Sequence, residues 1–386
     1  MLSKKIEPAP HFINRLFPVF FSIFALLFSP ACEKEPPPLK IGFSGCITGQ
    51  LADLGIAGRN AVTLAVEEIN RAGGINGRKI ELIVKDDANT PETAIRVDRE
   101  LIAEGVVAII GHVTSSMSIA ALPVANKNKI IMLSPTSTTN ELSGKDDYFF
   151  RVTSPDRIQS EIMAKHAFNK LNLRRVACLY DLSNRGFTQG WADNFRTLFE
   201  QLGGTVAVSV TFHAKEKFSY LEIAGQLMNF QPDSILIISG ALHTAMFCQQ
   251  IRKTTPDIPI LSSGWAGTNE LIHQGGSSVE GIIFPQVFNQ NSRHLPYLTF
   301  RESYRERFMI EPNFASMCSY EAATFLFNIL DGWDGKSDLK QILLDHSTHQ
   351  GLQGEISLDK YGDASRSQFI VTVNDGSFAI VDTIMP

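Results

Sequence analysis

Two runs of small hydroxyl side chains stand at the ends of apolar segments in the first third of the chain. Residues 106–110 lead into Thr114, Ser115 and Ser116, and residues 130–133 lead into Ser134, Thr136, Ser137, Thr138 and Thr139. Neither run contains Lys or Arg, and the nearby histidine is His112. Hydroxyls and backbone amides without a fixed cation suit a small carboxylate held by hydrogen bonds. A polyphosphate would call for a glycine-rich or basic loop, and neither is present. Ser115 and Ser116 also open a predicted helix, whose free amides and positive dipole end favour an anion. The plainer role for either serine is a helix N-cap. Two such runs at neighbouring strand ends favour a site.

Other residues with chemical potential have plainer readings. Asp86-Asp87 resembles a metal pair, but adjacent acids at a strand end more often cap the turn that follows. His112 beside Ser115 hints at a hydrolase, yet "GFSGC" is not a GxSxG elbow and no acid partner is identifiable. No GxGxxG follows a strand, which removes most of the case for a dinucleotide enzyme. Cys46, Cys178, Cys248 and Cys318 are widely spaced and flanked by apolar or small residues, as buried free thiols are. They form no CxxC or Cys/His cluster, so neither a metal nor a cofactor is implied. Trp265 ends the segment "IPILSSGW", a place that suits an aromatic wall in a cleft better than a core position.

The elements that must carry these residues alternate. "LKIGFSG" reads as a buried strand, followed by a helix with apolar Ala57, Ala61, Leu64, Ala65 and Ile69 at helical spacing, stopped by Gly73-Gly74. A strand in "RKIELIVKDD" precedes a helix over 91–104, with Thr90 as N-cap and Pro91 first in the helix. "VVAIIG", a helix over 115–127 and "KIIMLS" complete the set. The pattern then repeats, with strands in "RRVACLYD", "TVAVSVTF", "DSILIISG" and "IPILSSGW" and helices over 190–202, 220–230 and 244–253. This is the signature of parallel sheets with helices on both faces, in two units. "YFFRVTSPD", "EGIIFPQVF" and "GLQGEISLDKYGDA" are three candidate crossovers, and "FIVTVNDGSFAIV" a closing hairpin around Asp375-Gly376. The expected fold class is α/β: two doubly wound parallel-sheet lobes joined by three crossover strands. Lobe 1 is expected over 39–152 plus 286–348, and lobe 2 over 153–285 plus 349–386. Three connections make a hinge with a cleft between the lobes. In open parallel sheets ligands sit outside the carboxyl ends of the strands, where both hydroxyl runs lie.

Residues 1–31 read as a signal peptide. Lys4, Lys5 and Arg15 make a basic start, and 16–28 is a 13-residue apolar run, too short to span a bilayer comfortably. "SPAC" then places Ala31 before Cys32, similar to a bacterial lipoprotein lipobox except for Ser29, and residues 32–38 form a polar, proline-stiffened tether. A diacylated Cys32 would supply the two chains that stable anchoring needs. Losing 1–31 removes three positive charges and one negative, taking the net charge of the 386-residue chain from −5 to −7. That balance argues against nucleic acid and against a basic membrane-binding face, leaving the lipid as the membrane contact.

"INRAGGINGRKIELIVKDDANTPETA", "GHVTSS", "LSPTSTTNEL" and "GEISLDKYGDA" resemble the type I periplasmic binding proteins, and within them the leucine/isoleucine/valine-binding group that serves ABC importers. The resemblance spans nearly the whole chain after the leader. It implies two lobes that trap a ligand by closing, a monomer, ABC permease subunits as partners and an extracytoplasmic location. It implies that Ser115 holds the ligand carboxylate, that the loop of Thr136 and Thr138 contacts the carboxylate and ammonium, and that Leu54 touches the ligand side chain; Ser116 and Ser137 join the candidate site as their neighbours in the hydroxyl runs. In the second lobe it points to residues 184–187 with Phe187, to Ala241 and to Trp265. Here the chain departs from the group: "DLSNRGF" stands where a Tyr-Gly is common, a tyrosine near "ILIISGAL" is missing, and no acid stands at Gly264-Trp265 where the group binds the ammonium. The positions of a first-lobe disulfide found in some members hold Asn89 and Thr114. The expected function is therefore capture of an amino acid or related small carboxylate, without catalysis. Two rivals are a sensor that presents the same ligand to a membrane receptor, and a hydrolase using Ser115 and His112.

Overall fold

The computed structural model describes residues 1–5, 7 and 36–385, so the apolar leader and Cys32 lie outside the described residues. The first sheet is built from β1 (Leu39–Gly45), β2 (Ile80–Asp86), β3 (Ala108–Gly111), β4 (Ile131–Ser134) and β5 (Phe149–Arg151), all parallel, in the order β2-β1-β3-β4-β5. Helices α1 (Ala52–Arg71), α2 (Pro91–Ala103) and α3 (Ser115–Asn128) follow its first three strands. Alternation along the strands decides which helix each residue meets. Ile41, Phe43, Ile110 and Leu133 belong to the core that contains α1, whereas Ile109 packs with Leu101 of α2 and Met132 with Met117 of α3. Both faces are therefore covered, as the near-continuous apolar strands require.

The chain then passes through Pro155 into α4 (Asp156–Lys165) and a second sheet. Its parallel part contains β6 (Arg175–Asp181), β7 (Thr205–Phe212), β8 (Ser234–Ile238), β9 (Ile260–Ser262) and β10 (Ile283–Gln286). They are interleaved with α5 (Arg185–Gln201), α6 (Tyr220–Met228), α7 (Ala241–Thr254) and α8 (Asn269–Gly275). Here too alternate residues face opposite layers: Cys178 and Leu236 meet Trp191 and Phe195 of α5, while Leu179 and Ile237 meet Leu227 and Phe247. From β10 the chain returns to the first half, where α9 (Leu295–Phe308) and α10 (Phe314–Asp331) pack on α1, and α11 (Leu339–Asp345) follows. A small antiparallel sheet of β11 (Thr348–Gly351), β12 (Gly354–Leu358) and β13 (Ala364–Ser365) leads back to the second.

Two sequence expectations change. The second sheet is mixed, because the closing hairpin β14 (Gln368–Asn374) and β15 (Ser377–Ile384) adds to β10 antiparallel, in the order β15-β14-β10-β9-β8-β6-β7. And α5 starts at Arg185 instead of residue 190. Gly186 is a close-approach position: a Cβ there would lie 2.6 Å from the Ile119 side chain of α3.

The crossings are tied to one another. Arg366 donates to the Val152 carbonyl at 3.2 Å and pairs with buried Glu321 at 2.6 Å, and Gln368 donates to the Ser154 hydroxyl at 3.2 Å. Arg151, fully buried, pairs with Asp363 at 2.5 Å. At the cleft end of α1, a Cβ on Gly55 would lie 2.0 Å from the Cys46 carbonyl oxygen, so the loop after β1 rests directly on the helix backbone beside Leu54. Gly55→Ala is expected to destabilise the protein by about 1–3 kcal/mol, the usual range for overpacking. Urea denaturation checks this: an unchanged midpoint would show that the loop is free to move away.

Candidate functional site

The carboxyl ends of the two sheets face a shared space of about 500 Å³, partly open to solvent. From the first half it is lined by Leu54, Val113, Thr114, Ser115, Thr136 and Thr138, and from the second by Asn184, Phe187, Gly264 and Trp265. The crossing segments add Thr153, Gln159, Gln286 and Val287, and the first two turns of α10 add Phe314 and Cys318. Phe187 meets Trp265 edge to face, with ring centroids 5.9 Å apart. The wall is thus apolar and aromatic at one side and hydroxyl-bearing at the other. No charged side chain lines the cavity among the described residues.

Ser115 is not an N-cap. Thr114 occupies that position, and Ser115 is the first residue of α3. The Ser115 hydroxyl oxygen accepts from the backbone amides of Thr138 at 3.2 Å and Thr139 at 3.3 Å. Two amides fill both of its lone pairs, so what remains is its proton. The side chain faces the cavity as a donor, at a helix N-terminus, which is the polarity a carboxylate needs. Thr136 is oriented the other way: its Oγ1 donates to the Val113 carbonyl at 2.6 Å and keeps acceptor capacity.

One carbonyl joins the two hydroxyl runs. The His112 oxygen accepts from the hydroxyls of Ser134 at 2.7 Å and Ser137 at 3.1 Å, and the Ser118 hydroxyl of α3 lies 2.6 Å from that of Ser137. The ring of His112 is itself fixed, with Nδ1 2.7 Å from Asp87 and 3.2 Å from the Ser44 hydroxyl, and Nε2 3.1 Å from Asp98. All four side chains are fully buried.

The fold, with its two α/β sheets, recurs in known proteins. Residues 38–345 match the family model described as periplasmic binding protein. The chain belongs to the periplasmic binding protein family. The leucine-, isoleucine-, valine-, threonine- and alanine-binding protein of Pseudomonas aeruginosa is 25% identical over 364 residues, covering 91% of this chain and 94% of that one. A leucine binding protein from Thermotoga maritima superposes with a TM-score of 0.84 at 27% identity, over 90% of this chain and 99% of its own. A branched-chain amino acid transporter substrate binding protein from Streptococcus pneumoniae, solved with isoleucine, gives 0.83 at 26% identity, over 90% and 100%.

Of the residues singled out in the sequence, Leu54, Ser115, Thr136, Thr138, Phe187 and Trp265 line the cavity of this periplasmic binding protein. Three do not. Ser137 turns inward to Ser118 and the His112 carbonyl, and Ala241 borders an adjoining space with Gln50, Leu51 and Asp53. Ser116 spans the cleft: its amide donates to Asn184 Oδ1 at 3.2 Å and its hydroxyl accepts from the Gly186 amide at 3.1 Å. Sequence reading missed Thr153, Gln159, Gln286, Phe314 and Cys318, whose approach is a tertiary consequence of the crossings. Asp98 did leave a signal, since it falls on the buried stripe of α2 with Ala94, Val97 and Leu101. His112 does have acid partners, but its ring bonds Asp87, Asp98 and Ser44, with no bond to Ser115. Asp86 caps a turn, accepting from the Ile47 and Ala88 amides. Cys46, Cys178, Cys248 and Cys318 are free and buried, and burial pushes the Cys318 thiol up to about 12.

Burial alone would lower the affinity of the His112 ring for its proton, but Asp98 and Asp87 outweigh it and raise the pKa to about 10. The unfolded ring is neutral above about 6.5. Folding therefore takes up a proton between those two values, and the contribution of the cluster to stability is complete below the lower one and lost as pH rises through the upper. His112→Gln would leave two buried carboxylates uncompensated and is expected to cost about 3–5 kcal/mol at pH 7. Urea denaturation of both proteins between pH 6 and 10 should show the gap narrowing as pH rises. A gap that widens would mean that the ring is neutral in the folded protein.

Proposed function

We propose that this chain is the solute-binding component of an ABC importer, capturing a small carboxylate, an amino acid or a related acid, in the cleft between its two lobes. The reading is carried by Ser115, a hydroxyl saturated as an acceptor and left with its proton, at a helix N-terminus in a cavity without charged walls. Thr138 and Asn184 line the same space and supply further polar contacts, while Leu54, Phe187 and Trp265 hold the body of the ligand. Family membership places the protein outside the cytoplasm, and the binding partners named for its relatives support branched or small amino acids as candidates. Lobe 1 is 39–152 plus 286–348 and lobe 2 is 153–285 plus 349–386. They close on the ligand, held across the cleft by Ser116 with Asn184 and by the Thr268 hydroxyl on Asp53 at 3.0 Å. The protein acts as a monomer, anchored by a lipid on Cys32, releases its ligand unchanged and hands it to the permease.

Ligand is expected to raise the melting temperature, with about 2.7 kcal/mol of stabilisation when free ligand is a hundredfold above its dissociation constant. Ser115→Ala should abolish most of that shift and leave the ligand-free protein nearly unchanged. A variant that is instead badly destabilised without ligand would make Ser115 a structural residue. Cys32→Ser should leave a folded protein that no longer enters the detergent phase on partitioning. If the wild-type protein is already in the aqueous phase, the chain is secreted and not anchored.

A further inference from the structure

We infer that the cleft selects against an α-ammonium: its preferred ligand is a carboxylate with a hydroxyl or plain carbon at position 2 and an apolar or aromatic body. This rests on the carboxylate-capture reading above and names the class of acid.

An ammonium brings three donors and a full positive charge, and leaving water it needs an anion or a set of acceptors in return. No Asp or Glu lines the cavity among the described residues. Asp156, at the start of α4, has a buried Oδ2 without a hydrogen-bond partner but does not line the cavity, and the other buried acids nearby are engaged. Glu321 holds Arg366 and the Leu352 amide, and Asp181 accepts from the amides of Ser183 and Ala214. Asp53 borders the adjoining space, where it accepts from Thr268.

The acceptors that do line the cavity are uncharged. The Asn184 carboxamide oxygen takes the Ser116 amide, and that of Gln286 takes the Val287 amide at 2.8 Å. Gln159 gives its Nε2 to Gln368 and keeps its oxygen, and Thr136 keeps its lone pairs after donating to Val113. These uncharged acceptors, with the Thr138 and Thr153 hydroxyls that also line the cavity, can receive a ligand hydroxyl. They leave an ammonium with its charge unanswered. The Phe187–Trp265 pair offers an aromatic surface to a cation, which compensates less than a carboxylate does. The same surface suits an aryl or branched body without penalty.

The test is calorimetry on protein stripped of bound ligand by unfolding and refolding, using matched pairs: leucine with 2-hydroxy-4-methylpentanoate, phenylalanine with phenyllactate, and alanine with lactate. In each pair that binds, the hydroxy acid is expected to be tighter by at least about tenfold, or about 1.4 kcal/mol. Gln159→Glu places a carboxylate in the cavity with almost no change of shape, and it should narrow that gap about tenfold. Its melting curve establishes that it is folded. An amino acid that binds as tightly as its hydroxy partner, or more tightly, overturns the inference and leaves carboxylate capture standing. A gap that Gln159→Glu does not move, in a folded variant, also overturns it. Failure of every acid to bind a cooperatively melting protein removes the carboxylate reading and this inference together.

Discussion

The cleft depends on the position of one peptide carbonyl, that of His112. Its ring is clamped between two buried carboxylates, and its oxygen receives hydroxyls of the loop after β4, one of which, Ser137, is paired with Ser118 of α3. Those two segments are the ones that present Ser115 and Thr136 to the cavity. An anion loses its hydration on entering such a space, and without a cation the donors must already be in place. The buried charge cluster thus acts at a distance from the ligand. It fixes a framework in which Ser115 has one hydrogen-bonding capacity left.

The same economy recurs around the cavity. Ser115 is made a donor by the Thr138 and Thr139 amides, and Thr136 an acceptor by Val113. Asn184 and Gln286 are oriented by neighbouring amides, each of which takes one lone pair of the carboxamide oxygen. Each polar side chain is thereby given a sense before a ligand arrives, which reduces the ordering cost of binding. Tying these groups to the crossings makes the geometry sensitive to the hinge, since Gln159 reaches Gln368 and Gln286 reaches the Gly264 carbonyl.

Much of this was legible in the sequence because parallel sheets buried on both faces leave long apolar strands and regular helix stripes. The first-half strands were recoverable for that reason and the hairpin from its Asp375-Gly376 turn, while the hydroxyl runs stood out at the strand ends, where Ser115, Thr136 and Thr138 line the cavity. The second half was harder. Gly186 is where α5 meets α3, which nothing adjacent in the sequence marks, and the hairpin carries no mark of joining β10 antiparallel. Site residues from the crossings and from α10 are separated by up to 264 residues from Leu54, as Cys318 is, and only the tertiary path brings them together. His112 was visible, but its two acids lie 25 and 14 residues away along the chain. Asp98 is placed by helix periodicity and Asp87 by the turn after β2, and neither spacing forms a motif.

The central claim is that Ser115 gives its proton to a ligand carboxylate while two backbone amides hold its oxygen. A crystal structure of the protein with a bound carboxylic acid tests this most directly. One carboxylate oxygen is expected at about 2.5–3.0 Å from Ser115 Oγ, with the Thr138 and Thr139 amides still on that hydroxyl. A ligand whose apolar end meets Ser115, or a carboxylate bound outside the cavity, would contradict the account.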